Sequence, residues 1–103
     1  MGILINKTEE KSILIQGTEI EIDNVYGRLD VVCRADGQTL EVVVTTFASK
    51  DAYKTGANAL TTDVPVGNFK VEELAEGEEQ GTATAHKYAI EVYNNLGYKT
   101  EEI

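Results

Sequence analysis

The chain has little of what most chemistry and cross-linking require. Among 103 residues there is one cysteine (Cys33), one histidine (His86), one proline (Pro65) and no tryptophan. A lone cysteine excludes an internal disulfide and fits a reducing compartment. One histidine and one cysteine cannot supply the ligand sets and spacings of zinc sites. Basic residues are scarce, nine against eighteen acidic, for a formal charge of −9. That excludes phosphate-backbone binding by clustered Lys and Arg, so no direct contact with nucleic acid is expected. No run approaches the ~20 apolar residues of a spanning helix. The start, "MGILINKTEE", has neither the basic region nor the apolar length of a signal peptide. These absences lead to the expectation of a cytoplasmic chain with no membrane partner.

Catalytic and cofactor patterns are missing as well. Ser12 and Ser49 have no G-x-S-x-G context. The glycines match neither a P-loop nor G-x-G-x-x-G, and the EF-hand pattern is absent. Glu76, Glu78 and Glu79 stand in "AEGEEQG", an acidic, glycine-flanked stretch read as a mobile loop with no fixed carboxylate separation. Cys33 is expected on the core face of a strand, an inert small hydrophobe. His86 is expected in the first turn of a helix, exposed or capping. No enzyme, cofactor or metal site is expected.

What remains is patterning. Hydrophobic residues make up 42% and charged residues 26%, ordinary values for a globular chain, and the length fits a single domain over residues 1–103. "GILIN" predicts a first strand or arm. In "SILIQGTEIEID" the isoleucines alternate around Gly17, which implies half-buried strands with a bend between them. "VYGRLDVVCRADGQTLEVVV" predicts a hairpin turning at Asp36-Gly37, because Asp-Gly accepts the positive φ of a two-residue turn. That turn sets Cys33 opposite Leu40, Val31 opposite Val42 and Leu29 opposite Val44, a uniformly apolar core face. The other face mixes charges with an apolar strip of Tyr26, Val32, Val43 and Phe47, and places Arg34 diagonally near Glu41. Either another segment of the chain covers that strip, or a partner does.

A short helical turn is predicted near 50–55, capped by Ser49 and ended by Gly56. Pro65 keeps "ANALTTDVPVGNF" out of a central strand, and "NFKVEEL" is a further strand. Residues 83–96 predict the main helix, capped by Thr82 or Thr84, with Ala85, Tyr88, Ala89, Val92, Tyr93 and Leu96 as its apolar stripe and Gly97 as its stop. "YKTEEI" predicts a final edge strand. The fold class is therefore α+β, a mainly antiparallel sheet of about 5–6 strands with one C-terminal helix packed on it.

The "CRADGQTLEVVV" hairpin, the extended "ANALTTDVPVGNF" segment and the closing "AHKYAIEVYNNLGYKTEEI" together resemble the small structural proteins of tailed bacteriophages and prophages. The resemblance implies a virion or tail component, located in the cytoplasm or the virion, that works by contact with itself or with other structural proteins as an oligomer or assembly component. The expected function is a non-enzymatic assembly role, with Tyr26, Val32, Val43 and Phe47 as the interface and strand addition at "GILIN" or "YKTEEI". The charge of −9 supports a second reading, an acidic inhibitor or binding module of the antitoxin, immunity or nucleic-acid-mimic type that recognises a basic partner.

Overall fold

The computed structural model describes residues 2–65 and 67–103. Alternation of apolar and polar residues makes strands where it is regular, and the longest such run builds the central hairpin. β4 (Asn24–Cys33) and β5 (Leu40–Phe47) pair antiparallel with Leu29 opposite Val44, Val31 opposite Val42 and Cys33 opposite Leu40. The register is the one the Asp-Gly turn predicts, but the turn closes differently. Arg34 N–H donates to the Thr39 carbonyl at 3.0 Å, and within that pair Gly37 N–H donates to the Arg34 carbonyl at 3.4 Å. The Asp36 carboxylate then accepts from the backbone N–H groups of Gln38 and Thr39, both at 2.8 Å, and from the Thr39 hydroxyl. The Thr39 hydroxyl, helped by those N–H groups, pulls the Asp36 pKa down to about 2.

β1 (Gly2–Asn6) lies against β4, β6 (Asn68–Val71) against β5, and β7 (Lys99–Glu102) against β1. The sheet order is β6-β5-β4-β1-β7, antiparallel throughout. "GILIN" is thus an interior strand with neighbours on both sides, and the expectation of an exposed edge there is corrected. Its backbone pairs with β4 on one side and β7 on the other, and its inward side chains Ile3 and Ile5 are fully buried. "YKTEEI" does supply an edge, β7, and the ends of the chain meet through Gly2 N–H to the Ile103 carbonyl at 3.2 Å and the reverse bond at 3.1 Å. A second, two-stranded sheet pairs β2 (Ile13–Leu14) with β3 (Glu21–Ile22) around Gly17, whose φ is 80°.

One main helix, α2 (Thr82–Asn95), covers the inner face. Its buried residues are Ala85, His86, Ala89 and Tyr93, and the core joins them to Ile3, Ile5, Val25, Leu29, Val42 and Val44. Burial of each larger aliphatic chain contributes about 1.5–3 kcal/mol. Gly81 is the N-cap, without a side-chain bond, so neither Thr82 nor Thr84 caps the helix. Gly97 stops it with φ 102°, a conformation glycine adopts without penalty.

Two single residues depart from expectation. Because the helix starts at Thr82, His86 falls in its second turn on the same side as Ala89 and Tyr93. It is wholly buried, with Nδ1 2.6 Å from the Thr82 carbonyl and Nε2 unpartnered. Cys33 is exposed rather than on a covered face. Leu40, opposite it, has β6 as a further neighbour and is fully buried, whereas β1 pairs with β4 only over Asn24–Arg28 and leaves Cys33 at the strand's end without a neighbour on that side. The acidic 72–80 segment is itself tied down. The Glu78 carboxylate accepts from Lys87 Nζ at 2.7 Å, from the Tyr88 hydroxyl and from the Ala75 N–H at 2.9 Å. Gln80 Nε2 donates to the Arg34 and Thr39 carbonyls at 2.8 Å each. The loop expected there is present, and these bonds strap it to α2 and to the hairpin tip.

Candidate functional site

Opposed residues of an antiparallel pair point to one side of the sheet. The outer face of the hairpin therefore carries Tyr26, Arg28, Asp30 and Val32 on β4 and Glu41, Val43, Thr45 and Phe47 on β5. Its two ends differ. At one end the chain covers itself. Ser49 Oγ accepts from the Ala52 N–H at 3.0 Å and starts α1 (Lys50–Lys54), which Thr55 closes and Gly56, at φ 81°, turns away. This short helix lays Tyr53 across the sheet. The Tyr53 ring is 5.7 Å from that of Tyr26 and 5.0 Å, edge-on, from that of Phe47, and the Arg28 guanidinium sits 5.2 Å over it. Tyr26 is 1% exposed and lies over Gly2, where a Cβ would come within 2.7 Å of the Gly27 carbonyl.

At the other end nothing in the described chain covers the strip. Val32 is 51% exposed and Val43 47%. Arg34 and Glu41 form the ion pair the register predicts. β6 extends the surface: Asn68 lies opposite Val43 and Lys70 opposite Glu41. A shallow hollow of about 430 Å³ follows this junction, lined by Glu41, Val42, Val43, Asn68, Phe69 and Lys70. Of the four residues expected as an interface, Tyr26 is closed off inside the chain and Phe47 is half-buried under Tyr53. Val32 and Val43 remain available. The sequence reading missed the flanking residues Asn68 and Lys70; the proline just upstream and the shortness of "NFKV" were the signals of an edge strand beside this face.

Charge is unevenly spread. The outer layer, counting α1, carries Arg28, Arg34, Lys50, Lys54, Lys70 and Lys99 against Asp30, Glu41, Asp51, Glu72 and Glu101, close to balance. Elsewhere only Lys7, Lys11 and Lys87 face the other thirteen acids.

A second cleft of about 260 Å³ lies between β5, residues 59–64 and α2, with Tyr93 in its lining. Burial, with a smaller contribution from Tyr98, pushes the Tyr93 phenol up to about 12, which leaves it neutral. Among the described residues no group of three His, Cys, Asp or Glu side chains converges on a metal position, and no helix is long and apolar enough to cross a membrane. No family model, curated protein or solved structure matches the chain.

Proposed function

We propose that the chain is a non-enzymatic structural protein, a virion or tail component of the kind its sequence resembles, which works through protein–protein contact at the open end of the outer face. The observation that carries this reading is the exposure of Val32 and Val43, 51% and 47%, diagonal neighbours on a sheet face whose other end the chain closes with its own helix. Contiguous exposed apolar surface marks interfaces in folded proteins. The near-balanced charge around the two valines lets an otherwise acidic protein approach a partner there without net repulsion.

The test is absolute mass in solution by light scattering, at low and high salt, for the wild type and for Val43→Glu. The expected result is a defined oligomer that survives salt and loses mass in the variant, whose circular dichroism stays native. A monomer of about 11 kDa, or a folded Val43→Glu protein of unchanged mass, would sink this reading. The second reading, an acidic binder of a basic partner, draws on the acids concentrated away from the outer layer. It requires a monomer whose affinity for that partner falls steeply with salt.

A further inference from the structure

The two edges of the main sheet are not equally available. Beside β7, the Thr100 N–H that points away from β1 is already taken, donating to Asn94 Oδ1 at 3.0 Å from the end of α2. Among the described residues no side chain plugs the outward groups of Asn68 and Lys70 on β6 in this way. The phase of β6 follows from Val44 N–H, which donates to the Gly67 carbonyl at 2.8 Å. Antiparallel pairs alternate between bonded and non-bonded positions. Gly67, Phe69 and Val71 therefore turn their backbone groups to β5, and Asn68 and Lys70 turn theirs outward. An unpaired row of this kind is a template for another strand.

The side chains on this edge specify which strand fits. Lys70 and Glu72 are 3.8 Å apart and exposed, an ion pair loose enough to exchange partners. We infer that β6 pairs antiparallel with β6 of a second copy of this chain, about a two-fold axis at Val71, so that one sheet runs through both copies. The inference rests on the reading of the chain as an assembly component, but not on the contact at Val32 and Val43. In this register Val71 faces Val71 of the second copy, and Lys70 faces Glu72 of the second copy on both sides of the axis. The outward carbonyl of Lys70 meets the N–H of Glu72, the residue that follows the strand, whose own carbonyl accepts from the Thr39 hydroxyl at 3.5 Å. A shift that centres the axis on Lys70 sets the two lysines against each other. A shift that centres it on Phe69 sets Lys70 opposite Asn68 and forgoes both ion pairs. An isologous contact needs only this one self-complementary segment. With the open outer face as a second contact, each copy has two places to bind and assembly proceeds past a dimer.

A charge swap tests the register. Lys70→Glu alone places Glu opposite Glu72 of the second copy, and Glu72→Lys alone places Lys opposite Lys70, each twice per interface. Like charges directly opposed are destabilising, so each single variant is expected to weaken association about tenfold. The double variant Lys70→Glu/Glu72→Lys restores opposite charges and is expected to return to wild-type association. All four proteins are measured by light scattering over a concentration series, with circular dichroism to verify the fold. A second measurement is Val71→Cys in a Cys33→Ser background, oxidised gently. Non-bonded antiparallel pairs hold their Cα atoms about 4.5 Å apart, within disulfide reach, so a covalent dimer is expected. Single swaps that leave association unchanged, or a double variant no better than the singles, overturn the register and the edge contact. If those swaps are silent while Val43→Glu dissociates the oligomer, the assembly reading stands without this inference. If the wild type is a monomer at every concentration, both fall.

Discussion

The outer face of the β4–β5 hairpin is one surface finished in two ways. At its Tyr26–Phe47 end three aromatic rings and a guanidinium stack under α1. At its Val32–Val43 end two valines stand in solvent between ion pairs. The strands are continuous, and both ends mix apolar with charged side chains. The difference is supply of cover. A five-residue helix can shield one ring cluster and no more, and Ser49 and Gly56 fix where it starts and stops. Apolar groups at the covered end serve stability, whereas those at the open end add little to it and are free to serve contact.

The strongest way to break this contrast is to uncover the closed end. Tyr53→Ala removes the ring that bridges Tyr26 and Phe47 and is expected to cost about 3 kcal/mol, at the lower end of aromatic truncations. Urea unfolding would measure it, and light scattering should show added self-association as the strip lengthens. An effect below about 1 kcal/mol would mean that α1 is ornament rather than cover.

The next test concerns the 72–80 strap, which Gln80 ties to the hairpin tip and Glu78 to the helix. Lys87, then Tyr88, hold the Glu78 pKa at about 2, against an ordinary 4.5. A carboxylate lowered on folding adds stability that is fully present above its unfolded value and is lost as pH falls through its folded value. Urea midpoints are thus expected to fall between about pH 4.5 and about pH 2, with Asp36, also lowered to about 2, contributing over the same range. Glu78→Gln should flatten part of that acid slope and lower stability at neutral pH. A variant with the wild-type slope would show that the strap is not held through its charge.

The smallest stability effect belongs to the open end. Val32→Ser and Val43→Ser are expected to change unfolding free energy by less than about 0.5 kcal/mol, as exposed substitutions do, while lowering the mass of any assembly. If either costs more than about 1.5 kcal/mol, the valine is packed within the chain and the two ends are alike.

Much of this architecture was readable from residue order, and the exceptions have physical causes. The hairpin register followed from Asp36-Gly37 and the alternation on either side, since a one-residue slip would have turned Leu29, Val42 and Val44 to solvent. The main helix and its stop followed from its apolar stripe and Gly97. Sheet order did not follow, because nothing local in "GILIN" tells an interior strand from an edge. His86 escaped because a stripe drawn from apolar residues skips a histidine whose Nδ1 is satisfied by its own helix, at the Thr82 carbonyl. Cys33 escaped because periodicity tells which side a residue faces but not where the cover on that side runs out. At the candidate site the strip itself was legible, but its division by Tyr53 depends on a loop length and a helix direction that no pattern encodes.

The interior position of β1 has a consequence for how the chain is made. Its partner on one side, β4, follows within the first third of the sequence, whereas its partner on the other, β7, lies 93 residues beyond it at the Asn6–Lys99 contact. At about 5–20 residues per second of synthesis, β1 waits roughly 5 to 20 seconds for that neighbour. Until then β1, an interior strand of the finished sheet, is an edge carrying Ile3 and Ile5. The arrival of β7 is therefore the step that turns β1 from an edge into an interior strand.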